Sequence, residues 1–281
     1  MEKTVSTRGS VVARYAAAVP VRQLLARVPR KLAAVAGFDL VRRDENALSR
    51  LASAGVRPRS VIDIGAALGD WSRACAEVFP EARYLLVEPL EDFRPCLDAL
   101  GFGEVVEAAV ADAPGERTIH VHPDLVGSSL LREREGEHVD GVPRQVKVET
   151  VDDLVRERSL EPPFLLKIDV QGAERGVVAG AAETLSQAAA VITEVSFFDF
   201  YEGGTAFGEL LETMAAASFV VYDIGNLARR PLDGALSQAD VLFVPAASPV
   251  RSRHIYAAPH QRAAQTAEFA ATIRRRIDRA R

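Results

Sequence analysis

Seven short apolar runs punctuate the chain, each rich in β-branched residues and bounded by turn residues. They are SVIDIG at 60–65, ARYLLVEP at 82–89, EVVEAAVAD at 104–112, PFLLKIDV at 163–170, AAVITEVSFF at 189–198, FVVYDIG at 219–225 and ADVLFVP at 239–245. Runs of this length and make-up predict strands. Between most of them the apolar positions recur at helical spacing, in WSRACAEVF, EDFRPCLDAL, VDDLVRER, AERGVVAGAAETLSQ and AFGELLETMAAA, which predicts helices. Strands that are apolar at nearly every position leave no face for water. The alternation therefore predicts an α/β fold with a mostly parallel seven-stranded sheet and helices on both faces. Residues 115–148 break the pattern: ERTIHVH and RQVKVET alternate with period two, predicting an antiparallel hairpin inserted before the fourth core strand.

The ends read differently from the middle. Residues 1–45 have helical apolar spacing with basic interruptions and predict a helical extension or cap, 46–246 the α/β domain, and 247–281 a basic helical tail. Among 281 residues there are 34 basic and 39 acidic side chains, a net charge of −5, so nucleic acid is not an expected partner. The charge is uneven. Residues 3–38 hold Lys3, Arg8, Arg14, Arg22, Arg27, Arg30 and Lys31 with no acid, and residues 249–281 hold eight arginines against Glu268 and Asp278. The N-terminal stretch suits a cap on a site, a dimer contact or a surface that meets anionic lipid, and the tail suits a solvated face; a homodimer through these terminal helices is one expectation. No apolar run approaches the roughly 18 residues of a membrane span. Two cysteines, Cys75 and Cys96, make neither a disulfide framework nor a metal spacing, and the cytoplasm is the expected location.

Candidate chemistry begins at VIDIGAALGDWS, residues 61–72. In an open α/β sheet, ligands bind beyond the carboxyl ends of the strands. Gly65 and Gly69 let the backbone turn and approach a ligand there, with Asp63 at the strand end. The G-x-G-x-x-G loop that cradles a dinucleotide pyrophosphate is missing, so a nicotinamide or flavin cofactor is disfavoured. Glu88, 23 residues beyond Gly65 at the end of the next strand, is placed to accept both ribose hydroxyls of a nucleoside.

The segments VIDIGAALGDWS, LVEP, AAVADAPGE, GSSL, VKVETVDDL, LLKIDVQGAERGVVAGA and VITEVSFFDFYEG together resemble the FkbM family of S-adenosylmethionine-dependent methyltransferases, in family order from about residue 45 to 245. The resemblance implies a class I methyltransferase fold with an antiparallel seventh strand, and methyl transfer usually to a hydroxyl oxygen. By position it implies a cofactor loop of Asp63, Gly65, Ala66 and Gly69, with Trp71 and Ser72 just inside the following helix. Glu88 would hold the ribose, Pro89 and Leu90 would border the adenine, and Ala109, Val110 and Ala111 would line its other side. Gln171 stands where the family usually carries glutamate.

Methyl transfer to a hydroxyl needs alignment, exclusion of water and a group that takes the proton. Asp169 ends the fourth strand and Glu194 lies in the fifth, so parallel pairing predicts both at the cofactor edge. Asp169 is the expected base, or, with Glu194 and Asp199, a ligand to Mg²⁺ or Mn²⁺. Lys167 shares a strand face with Asp169; it belongs either to the catalytic group or to a structural ion pair with Glu194 or Glu174. Glu174 is expected to answer a helix dipole. His120 and His122 read as exposed strand residues, with metal binding or base catalysis as the alternative, and VGSSL at 126–130 as a lid or a plain turn. Phe197, Phe198, Phe200 and Tyr201 are either an acceptor wall or core. The expected activity is O-methylation of a hydroxyl of a sugar, glycoconjugate or polyketide-type natural product. N- or carboxyl-methylation and an inactive nucleoside-binding scaffold remain the alternatives.

Overall fold

The computed structural model describes residues 47–136 and 138–281; the expected N-terminal extension lies outside them. The run Ser60–Ile64 (β1) is a central strand, buried at all five positions. It pairs in parallel with Arg83–Val87 (β2) and with Phe164–Ile168 (β7). The outermost strands on that side and the other are Glu104–Val106 (β3), parallel to β2, and Phe219–Arg229 (β9). Between β7 and β9 lie Ala188–Ser196 (β8), parallel to β7, and Leu236–Pro245 (β10), antiparallel to both of its neighbours. The order is β3-β2-β1-β7-β8-β10-β9. Counted along the chain within this sheet it reads 3-2-1-4-5-7-6 with the seventh strand reversed, the class I methyltransferase arrangement implied by the sequence.

Both faces of the sheet are covered. Ile62, Ile64, Leu85, Val87, Leu166 and Ile168 pack in one core with Val151 and Leu154 of helix Val151–Glu157 (α4), Val177 of Glu174–Ala179 (α5), Leu185 of Ala182–Leu185 (α6) and Leu210 and Met214 of Phe207–Ala216 (α7). Val61, Tyr84, Leu86 and Leu165 face the other way. They pack with Leu48 and Leu51 of Ala47–Ser53 (α1), Cys75 of Asp70–Val78 (α2) and Leu97 of Arg94–Asp98 (α3). The strands are apolar throughout for this reason: residues alternate between two cores rather than between core and water. Pro259–Ala280 (α8) closes the chain. Among the described residues no helix is long and apolar enough to cross a membrane.

One predicted strand divides. The run 104–112 leaves the main sheet after Val106, and Ala109–Val110 (β4) pairs in parallel with Val142–Glu149 (β6), itself antiparallel to Gly115–Val121 (β5). The predicted hairpin is thus two strands of a separate three-stranded sheet of order β4-β6-β5. The packing just beyond β4 is close. A Cβ on Gly180 would stand 2.2 Å from the Ala111 carbonyl oxygen, so the end of α5 touches the backbone just after β4. Gly180→Ala keeps an ordinary φ of −84° but forces that carbonyl to move. It is expected to destabilise the fold by about 1–3 kcal/mol, read as a lower urea midpoint; an unchanged midpoint would dismiss the contact.

Candidate active site

Parallel register levels the carboxyl ends of three strands. Ile64 stands beside Val87 and Ile168, so the next residues, Gly65, Glu88 and Asp169, meet at one edge. The approach is tight: with φ at +79°, Gly65 faces the Asp169 carbonyl, which a Cβ would meet at 1.9 Å. The Gly65 and Ala66 amides donate to the Val87 carbonyl at 2.9 and 3.2 Å. Glu88 then ties the loop down, its Oε2 accepting from the Ala67 amide at 2.9 Å and its Oε1 from the Leu90 amide at 3.0 Å. A carboxylate has about four acceptor positions, so two remain for the cleft. Burial pushes the Glu88 carboxyl up to about 7.

The cleft above this edge runs across these strand ends. Gly65, Ala67, Glu88, Pro89 and Phe93 line one end, and Asp169, Val170 and Gln171 the far end. Ala108, Ala109 and Val110, with Leu125, Val126, Ser128, Ser129 and Leu130, complete the lining. The VGSSL segment, expected as a lid or a plain turn, therefore borders the cleft, with its hydroxyls engaged. Ser129 donates to the Gln171 carbonyl at 2.7 Å and Ser128 to that of Leu125 at 2.6 Å.

Of the positions expected to hold a nucleoside, Gly65, Glu88, Pro89, Ala109, Val110 and Asp169 line the cleft. The others stand outside its lining. Asp63 is buried and accepts from the Ser72 hydroxyl at 2.6 Å, and burial raises its carboxyl to about 6. Gly69 precedes α2 with φ at +76°. Trp71 packs at the margin of the core that holds Ala66 and Leu90, and Ala111 lies behind against Gly180. Sequence reasoning missed Phe93 and Ile119, whose approach to the cleft depends on nonlocal packing.

The far end is a network around one cation. Lys167, 4% exposed, donates to Asp240 at 2.8 Å and to Asp169 at 3.3 Å. Its expected partners are corrected: Glu174 instead accepts from the Gly172 amide at 2.9 Å, and Glu194 accepts from the side-chain amides of Gln171 and Gln238 at 3.0 and 2.7 Å. Burial pulls the Lys167 ammonium down, but Asp169 and Asp240 outweigh it and raise it. Glu194 rises to about 7 through burial and the charge of Asp169. Gln171, at φ +53°, is the unforeseen centre: its Nε2 also donates to Asp169 at 2.8 Å, and its Oε1 accepts from Tyr201 at 3.2 Å.

These residues do not fit a divalent metal. Lys167 and the Gln171 amide already direct donors at Asp169, and Gln171 and Gln238 do so at Glu194. Asp199 is exposed. Among the described residues no group of three His, Cys, Asp or Glu side chains stands at ligand spacing. The histidines are half-buried rather than exposed. His120 faces Asp140 at 3.4 Å, and His122 bonds Asp124 at 2.6 Å. Of the aromatics, Phe197 packs on Phe207 at 5.0 Å between centroids, and the Arg230 guanidinium covers Phe198 at 3.8 Å.

Residues 63–221 match the family described as the methyltransferase FkbM domain. The chain belongs to the FkbM methyltransferase family. It is an S-adenosylmethionine-dependent methyltransferase. The chain is 30% identical over 179 residues to the 2-O-methyltransferase NoeI of Sinorhizobium fredii, spanning 57% of this chain and 72% of that one. Among solved structures it is similar to magnesium protoporphyrin IX methyltransferase (ChlM) from Synechocystis with bound SAM, at 12% identity and a TM-score of 0.39, covering 70% of this chain and 74% of the other. A precorrin-6y methyltransferase from Geobacter metallireducens gives 12% identity and 0.39 over 74% and 94%.

The buried carboxyls of this FkbM protein give its stability a definite pH dependence. Burial raises Glu174 from 4.5 to about 7, beside Glu88 and Glu194. A raised folded-state value contributes stability that is present below the unfolded value and lost as pH rises through 7. Melting temperature is expected to fall between about pH 5 and 8. Glu174→Gln, which keeps an oxygen for the Gly172 amide, should flatten that slope; an unchanged slope in thermal melts would contradict the raised carboxyl.

Proposed function

We propose that the chain methylates a hydroxyl oxygen of a sugar or other polyhydroxylated acceptor, with Asp169 as the proton-accepting group at the cleft. The observation that carries this reading is the Asp169–Glu194 pair bridged by the Gln171 amide, with Asp169 on the cleft lining beside Gly65. A 2-O-methyltransferase among its relatives supports an oxygen acceptor.

The cleft suits the cofactor on its own geometry. Gly65 leaves room at the Asp169 carbonyl, Glu88 keeps two acceptor positions for ribose hydroxyls, and Ala108, Ala109 and Pro89 offer small apolar walls to the adenine. When bound, S-adenosylmethionine would supply an electrophilic methyl, its C–S bond breaking as the new C–O bond forms and a neutral thioether leaving. Asp169 accepts a hydrogen bond from the acceptor hydroxyl, orients its lone pair at the methyl and receives the proton. Lys167 and Gln171 fix the carboxylate's direction. Glu194, with its carboxyl near 7, is held next to Asp169 by the same Gln171 amide. The local excess of carboxylates over the single Lys167 cation also favours a positively charged cofactor.

Asp169→Asn preserves shape and removes the proton acceptor. Transfer of labelled methyl to a panel of sugars and glycoconjugates is expected to fall roughly 10²- to 10⁴-fold, with cofactor affinity unchanged; full activity would return Asp169 to an ion-pairing role. Glu88→Gln should weaken S-adenosylmethionine binding by about 1.5–3 kcal/mol, measured by calorimetry. Equal affinity would remove Glu88 from the ribose.

A further inference from the structure

Helix α8 stands apart from both cores. It runs 22 residues, and none of its side chains is buried. Phe269, Ile273 and Ile277, spaced four apart, are 66%, 49% and 49% exposed, forming one stripe along the helix. Tyr256 extends the stripe toward the helix start, its ring 4.9 Å below the Arg262 guanidinium and its hydroxyl 3.4 Å from the Gln265 amide. At about 100° per residue, Arg274 and Arg276 fall on opposite flanks of this stripe, and Glu268 lies on the far face. Arg275, Arg279 and Arg281 complete a terminal turn that Asp278 alone opposes.

An isolated helix that offers apolar side chains to water is marginal, and its charge restricts what can cover it. A second copy of the stripe would set arginine flanks against arginine flanks. Residues 3–38, with seven basic side chains and no acid, carry the same sign. The occupant that matches both features is a surface with an apolar interior and a negative rim.

We infer that α8 is an interfacial helix that docks the enzyme on an anionic lipid bilayer. Phe269, Ile273 and Ile277 enter the boundary of the acyl layer, while Arg274 and Arg276 extend from its flanks to the phosphates. The helix is about 33 Å long and too polar to span, so it lies in the plane. Residues 249–281 carry a net +6 and the remainder −11, so the acidic body is held off the bilayer as the tail is drawn to it. This docking is independent of the acceptor proposed above.

Flotation of the full chain tests it, with vesicles of phosphatidylcholine alone and of phosphatidylcholine mixed with phosphatidylglycerol. The parent should float with the anionic vesicles only and release as salt rises. The triple change Phe269→Ser, Ile273→Ser, Ile277→Ser and the triple change Arg274→Gln, Arg275→Gln, Arg276→Gln should each weaken binding at least about tenfold. Both should keep the parent's calorimetric affinity for S-adenosylmethionine.

Several results would overturn the inference. The parent could fail to bind, or bind neutral vesicles equally. Undiminished binding by the serine variant would mean attraction to any polyanion. Undiminished binding by the glutamine variant would place adhesion elsewhere. Sedimentation of the parent as a dimer that the serine variant dissociates would give the stripe to a second copy. Loss of cofactor binding in both variants would make α8 part of the fold.

Discussion

A lysine ammonium buried in the middle of the sheet constrains everything at the far end of the cleft. An unpaired charge there would cost several kcal/mol, so Lys167 is met by Asp240 from β10 and Asp169 from the end of its own strand. Its register partner on β1 is Asp63. One cation thus gathers acids from three strands, and a fourth, Glu194 of β8, lies within reach of its field. The carboxyls outnumber it. That surplus, together with burial, holds Asp63 and Glu194 above the ordinary carboxylate range.

Such an arrangement explains why side-chain amides matter here. Gln171 and Gln238 donate to carboxylates without adding charge. They fix direction where a second lysine would neutralise the group and a glutamate would add repulsion. The same donors occupy the oxygen positions that a divalent ion would need.

Much of this was legible in the sequence because strands between two cores must be apolar throughout. SVIDI, RYLLV and FLLKI therefore announced β1, β2 and β7, and their ends located Gly65, Glu88 and Asp169. Nonlocal facts were not legible. The run at 104–112 looked continuous because Ala109 and Val110 are as apolar in the small sheet as they would be in the large one. Only the pairing of Ala109 and Val110 with a strand more than thirty residues on reveals the departure. Lys167 plainly needed a partner, but Asp240 lies 73 residues away on an antiparallel strand whose register no local pattern specifies. Trp71, Ser72 and Ala111 were near the right loops and face other surroundings, since proximity along the chain does not set side-chain direction. Gln171 was visible as a departure from the family pattern; its left-handed backbone and three side-chain bonds needed the fold.

The bond from Ser129 to the Gln171 carbonyl joins the 125–130 segment of the cleft lining to the residue whose side chain bridges the two carboxylates. One residue therefore anchors both. Ser129 is linked, through a single backbone oxygen and a single side-chain amide, to a cleft carboxylate that it does not itself touch.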